Sequence, residues 1–144
     1  MSDISLETVT GKLNRLGYDA FMQALRQAKG AGNRNVELAH WLHHILAQDR
    51  SDIALTADHY KLDRAKLDRD IAEAIEGLRK NETEMPGIAT QITDVLDRGW
   101  HYATLFFGET QIRTGHLLVA ALKAPELRRA LQSLSRQFAA LNAD

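Results

Sequence analysis

Three histidines within five residues, His40, His43 and His44, are the first place in this chain where chemistry could sit. His40 and His44 stand four apart and share one helix face, a spacing that suits a metal ion. Trp41 and Leu42 occupy the positions where a helical zinc protease would carry its glutamate, so that motif is absent. His40 also recurs as His116, which has no histidine beside it. A position repeated without its neighbours points to structural work, such as packing at a helix start. A small histidine-cluster metal hydrolase is therefore only a remote alternative. Asp68, Asp70, Glu73 and Glu76 offer paired carboxylates for acid–base work, but they are interleaved with Arg64, Lys66, Arg69 and Arg79. That is the pattern of a solvated, ion-paired helix face. Ser51, Ser133 and Ser135 lack a neighbouring histidine and a glycine elbow. Arg128, Arg129 and Arg136 form a modest basic cluster that decorates a helix end. Gly11-Lys12 is followed by Leu13 and has no glycine five positions earlier, so it cannot cradle a phosphate. No catalytic residue and no metal ligand is assigned.

Composition narrows the classes further. The chain has 144 residues, which fits one domain with a core of its own. It holds no cysteine, which excludes disulfides, thiolate metal sites and a cysteine nucleophile. Its 18 basic and 19 acidic residues give a net charge of −1. That balance leaves no electrostatic footprint for nucleic acid or an acidic membrane. No apolar run approaches the roughly 20 residues of a membrane span. Met1-Ser2-Asp3-Ile4 lacks the basic and apolar regions of a signal peptide, and a cytoplasmic location is expected.

The elements that must position these residues are helical. Leu6, Val9 and Leu13 make a short apolar stripe near the start. Leu16, Ala20, Ala24 and Ala28, with Phe21 and Leu25, stripe a helix that should end near Gly30 and Gly32. Leu38, Trp41, Leu42, Ile45 and Leu46 mark the next. Ser51 or Asp52 can cap a short helix, and Asp63 a longer one carrying Leu67, Ile71, Ile75 and Leu78. Alternating strand patterns are nearly absent. The polar stretch from Lys80 to Gly87 reads as a linker.

Beyond the linker the sequence repeats itself. Val36–Leu42 can be laid on Ile112–Leu118 at an offset of 76, which also pairs Leu46 with Leu122, Ala54 with Ala130 and Leu55 with Leu131. Upstream the offset is 75, pairing Phe21 with Leu96, Ala24 with Gly99 and Ala28 with Ala103. One extra residue is thus expected in the second loop. The expected architecture is an all-α, pseudo-twofold bundle of two four-helix repeats, about 13–79 and 88–141, plus a short extra N-terminal helix. The small residues Ala24, Ala28, Gly99 and Ala103 should let long helices approach closely.

The order and spacing of these segments resemble the amino-terminal Clp repeat of Hsp100 unfoldases of the AAA+ class. Gly11-Lys12-Leu13-Asn14, Val36–Trp41, Gly99-Trp100, Phe107-Gly108-Glu109, Ile112–Leu118 and Glu126–Arg129 bring it nearest the ClpV family. ClpV unfoldases recycle the contractile sheath of type VI secretion systems. The resemblance covers essentially the whole chain, but the motor is missing. It implies a detached, non-catalytic recognition domain with no cofactor of its own. ATP, magnesium and hexamer formation would belong to the absent motor domains. A general domain of the ClpB or ClpC type, which takes unfolded segments or adaptors, is the alternative.

The resemblance also implies a partner: an amphipathic N-terminal helix of the large sheath subunit, held in an apolar groove. Leu6, Val9 and Leu13 would form one wall. The first helix of the second repeat would form the other, through an exposed strip of Ile88, Ile92 and Val95, with Leu96 and Ala103 buried. Helix-in-groove binding reads apolar anchors at i, i+3, i+4 and i+7.

Overall fold

The computed structural model describes residues 12–48, 50–78, 80, 86–106, 108 and 111–141. The first helix, α1 (Arg15–Ala31), starts where the Asn14 side chain accepts the Gly17 N–H at 3.0 Å. It stops at Gly32, whose left-handed backbone (φ 70°) turns its N–H back onto the Ala28 and Lys29 carbonyls. Its buried face is Gly17, Ala20, Phe21, Ala24 and Ala28. Helices α2 (Leu38–Leu46), α3 (Asp52–His59) and α4 (Arg64–Glu76) complete the first repeat. Ser51 caps α3 by accepting the Ala54 N–H, and Asp63 caps α4 by accepting the Lys66 N–H, each at 3.0 Å.

The second repeat begins with α5 (Thr90–His101), which runs directly into a π-helical turn, Tyr102–Phe106. Shifted by 75, α1 maps onto α5 plus this turn, Thr90 to Phe106. The change of offset from 75 to 76 falls between Ala103 and Ile112. The two stretches are equal in length, so the added residue lies after Phe106, in the stretch that leads to Ile112. Helices α6 (Thr114–Lys123) and α7 (Pro125–Leu134) follow, then a 3-10 helix, Arg136–Ala140.

Two expectations are corrected. The fourth element of the second repeat is this five-residue 3-10 turn. It plugs the core with one buried side chain, Phe138, where the first repeat has a 13-residue helix. The pairing of Leu55 with Leu131 is also displaced. Leu55 is exposed and Leu131 buried. Burial matches Ile53 and Ala57 with Leu127 and Leu131, an offset of 74, because the loop before α7 is shorter.

The two repeats interlock. Strand β1 (Asn35–Val36), which precedes α2, pairs in parallel with β2 (Gly87–Ile88), which precedes α5. Leu13, just before α1, forms the matching parallel bridge with Ile112, just before α6. Each repeat's entry segment is thus paired with the middle of the other. Short helices satisfy their own backbone groups, but the segments between them do not. Here the crossing bridges do it: Asn14 N–H donates to the Ile112 carbonyl at 2.8 Å, and its counterpart Ala89 N–H to Val36 at 3.0 Å.

One contiguous apolar core spans both repeats. Ala24, Ala28, Ala103 and Gly99 are all buried, as their small size predicts. A methyl group on Gly99 would come within 2.8 Å of Leu117 Cδ2, so α5 and α6 touch at that point. Trp41 anchors the α1–α2 contact by donating its indole N–H to the Gly17 carbonyl at 3.1 Å and packing edge-on against Phe21. Among the described residues no helix is long and apolar enough to cross a membrane.

Candidate partner-binding surface

The repeated histidines have the same task. His40 is the third residue of α2, and its Nδ1 accepts the N–H of the N-cap residue Glu37 at 2.9 Å. His116 is the third residue of α6, and its Nδ1 accepts the Arg113 N–H at 3.0 Å. Each ring thus stands where a capping box would use glutamate or glutamine. His40 is fully buried, and its Nε2 lies 2.9 Å from Asn33 Oδ1. Since Nδ1 accepts, Nε2 must carry the proton and donate. Both ring nitrogens are therefore committed, and neither has a lone pair left for a metal. Burial, with His44 and His43 nearby, lowers the His40 pKa to about 4, so the ring is neutral near pH 7. His44 is paired with Gln27 through Nε2 at 3.0 Å and is also shifted down, first by burial and then by His43. The acidic residues of α4 pair with their basic neighbours: Arg64 with Asp68, and Lys66 with Asp70.

A second polar constellation joins the repeats. Asp52, in the first turn of α3, receives Arg113 Nε at 2.9 Å and Nη2 at 2.8 Å, and the Gly115 N–H at 3.1 Å. Arg113 is the N-cap position of α6, and its side chain offers no acceptor to the helix. A carboxylate from the other repeat supplies one instead. A side chain at Gly115 would press on the Asp52 Cβ and Oδ2 at 3.1 Å. The Arg113 hydrogen bonds hold the Asp52 carboxyl below its ordinary range against the opposing effect of burial. A cleft of about 340 Å³ opens beside this clasp, with Tyr60, Val119, Leu122 and Leu141 in its wall. Its charged pair is already committed to the clasp.

The groove residues fare unevenly. Leu6 and Val9 lie outside the described residues. Leu13 is buried and serves as the bridge to Ile112. Ile88 is its counterpart at offset 75, half-buried and paired with Val36. Ile92 and Val95 contradict the expected exposed strip: they are 0% and 3% exposed and belong to the core. The reason is helical phase. Ile92, Val95, Leu96 and Gly99 form the i, i+3, i+4, i+7 face of α5, and that whole face turns inward. The outward face carries Gln91, Asp94, Arg98 and His101 instead, with Arg98 bonded to Asp94 at 2.9 Å.

What remains apolar and accessible lies at the end of this helix. Trp100 is half-buried, with the Lys12 ammonium 5.5 Å above its ring. Leu105, in the π turn, is 73% exposed. The described chain thus begins beside Trp100, and the Leu13 bridge fixes that approach. Sequence reasoning placed Trp100 on the right helix but gave it no role.

The comparisons agree with this architecture. The model of the Clp repeat (R) N-terminal domain matches residues 14–140. The AAA+ ATPase ClpV1 of Pseudomonas aeruginosa is 40% identical over 144 residues, which is 100% of this chain and 16% of that protein. The chain therefore spans about a sixth of that relative's length. A solved chain from work on the coevolution of the ATPase ClpV, the TssB-TssC sheath and the accessory HsiE protein in type VI secretion superposes with a TM-score of 0.95. It is 40% identical, over 99% of this chain and 88% of that one. A ClpV N-domain in complex with a VipB peptide shares the fold, with a TM-score of 0.76 at 22% identity over 88% of this chain and 78% of that one. With the interlocked repeats, the paired histidine caps and the family match over nearly its whole length, this chain belongs to the Clp repeat N-terminal domain family.

Proposed function

We propose that this chain is the substrate-recognition domain of a AAA+ ATPase that disassembles the type VI secretion sheath. It binds an amphipathic N-terminal helix of the large sheath subunit, in the cytoplasm. The observation that carries this reading is the 40% identity, at a TM-score of 0.95, to the chain studied with ClpV and the TssB-TssC sheath. The VipB peptide bound to a ClpV N-domain of the same fold supports it. The local chemistry is consistent with it: His40 and His116 are committed to caps and the Asp52–Arg113 pair to the clasp between repeats. Leu6 and Val9 are expected to contact the partner helix, while Leu13 and Ile88 hold the bridges that join the two repeats. ATP and magnesium are work for a motor, not for this chain.

The physical logic is a weak single contact. Burial of apolar area at roughly 25 cal/mol per Å² drives docking, less the cost of ordering the peptide. Micromolar-scale affinity is expected for one domain, and a hexamer would multiply it by avidity. An anisotropy titration with a labelled N-terminal helix peptide of a cognate large sheath subunit tests the reading, with a scrambled peptide alongside. Saturable binding of the native peptide alone supports it. Equal binding of both would favour a general ClpB-type domain, and binding of neither would end the sheath reading.

A further inference from the structure

The start of α6 is held by the first repeat on two sides. On one side the bonds run from backbone to backbone: Ile112 N–H donates to the Lys12 carbonyl at 2.7 Å, and Asn14 N–H to the Ile112 carbonyl at 2.8 Å. On the other side they reach one side chain, Asp52 of α3, through the Arg113 guanidinium and the Gly115 N–H. The short stretch Ile112–Gly115 thus carries two joints of different physical kinds. The bridge is neutral, and Leu13 and Ile112 are buried. The clasp is charged and reaches solvent: the Arg113 side chain is 58% exposed and that of Asp52 22%. The Gly115 N–H is among the first donors of α6, which find no acceptor within the helix. Its hydrogen bond lasts only while Asp52 stays in place.

The equivalent junction at the start of α2 has none of this chemistry. Offset 76 matches Arg113 and Gly115 with Glu37 and Ala39, and offset 74 matches Asp52 with Glu126. Two glutamates cannot make an ion pair. Ala39 is buried with its methyl group, whereas a side chain at Gly115 would press on Asp52 at 3.1 Å. Aspartate, arginine and glycine therefore occur together at the joint that forms, and none of them at its counterpart. Ion pairs elsewhere, such as Arg64–Asp68 and Arg98–Asp94, lie within one repeat.

We infer that Asp52 and Arg113 are a salt-sensitive latch, through which α3 releases the start of α6 while the backbone bridges keep the two repeats joined. Exposed ion pairs are weak and screened by salt, and buried backbone bonds are not. Local openings draw on the weakest joints first. Release frees the Gly115 N–H and widens the cleft whose wall holds Thr56, Tyr60, Val119 and Leu122. Arg113 is a positioning residue here: its two hydrogen bonds aim the Asp52 carboxylate at the helix end. The latch is a property of the fold and stands apart from the choice of partner.

Amide hydrogen exchange on this chain, read residue by residue by NMR, tests the latch. The reference amides are Asn14 and Ala89, which make the backbone bridges. In the wild type Gly115 should exchange about tenfold or more faster than either reference. Raising the salt to about 1 M should speed Gly115 by about threefold and leave the references unchanged. Arg113→Gln should speed Gly115 by a similar factor and abolish its response to salt. Asp52→Asn, which keeps an acceptor and removes the charge, should do the same. Gly115 exchanging in step with Asn14 and Ala89 in the wild type would overturn the latch, because the joint would then open only with the whole bundle. A salt response that survives in Arg113→Gln would overturn the part given to the ion pair.

Discussion

Helix α1 and helix α5 are two versions of one element. Both bury a small-residue face, Ala24 and Ala28 in one and Gly99 and Ala103 in the other, against the second helix of their own repeat. Both follow an entry segment bridged to the opposite repeat. They differ at their ends. Helix α5 runs on into a π turn, and the open position filled by Gly30 in α1 is matched at offset 75 by the exposed Leu105. Duplication supplied two equivalent faces for packing, and the two copies differ in how the helix ends. Packing tolerates almost no variation on the inner face, because a methyl group at Gly99 already meets Leu117. The outer end has no such restraint.

The largest expected effect separates the two parts of α5. Ile92→Asp would bury a carboxylate with no partner and should cost about 4 kcal/mol or more. Leu105→Asp, on the same element, should change stability by less than about 0.5 kcal/mol. Urea melts of the two proteins measure the contrast. A stable Ile92→Asp variant would show that the inner face of α5 is not the core.

The histidine caps give the next effect. His40 is neutral when folded, with its pKa lowered to about 4, whereas an unfolded histidine titrates near 6.5. Above the unfolded value both states are neutral and the folded state bears no penalty. As the pH falls from about 6.5 toward 4, the unfolded chain takes up a proton that folded His40 refuses. Stability should therefore drop by about 2.5 kcal/mol between pH 7 and 4.5 from this residue alone. Carboxylates such as Asp52, held low by Arg113, lose stability at still lower pH, as the medium passes below their unfolded values toward the depressed folded one. His40→Gln keeps an acceptor for the Glu37 N–H and should flatten the slope between pH 7 and 4.5. An unchanged slope would mean that folded His40 accepts its proton readily.

The smallest effect probes the symmetry itself. Ala24→Leu in the first repeat and Ala103→Leu in the second should each cost about 1–3 kcal/mol by overpacking. Thermal melts with near-equal losses would confirm two equivalent contacts. A much smaller loss for Ala103→Leu would mean that the π turn lets the second helix yield.

Much of this was legible in the residues. The 76-residue offset joining His40 to His116 exposed the duplication and pointed to shared structural work at a helix start, which the structure identifies as capping. The ends of α1, α3 and α4 followed from Gly32, Ser51 and Asp63, because a cap depends on local spacing. The groove was not legible to that degree. Ile92 and Val95 are apolar and helically spaced, and periodicity identifies such a face without saying which neighbour covers it.

The sequence by itself determined an all-helical chain, its division into two copies, the positions of the caps and the absence of a phosphate-binding loop. These are consequences of local backbone preference and of residue order. Only the tertiary structure decided which copy's entry segment pairs with which, that Asp52 caps a helix of the other repeat, and that α5 runs into a π turn that leaves Leu105 exposed. The pairings join groups 52 to 99 residues apart, and no local rule along a chain encodes those distances.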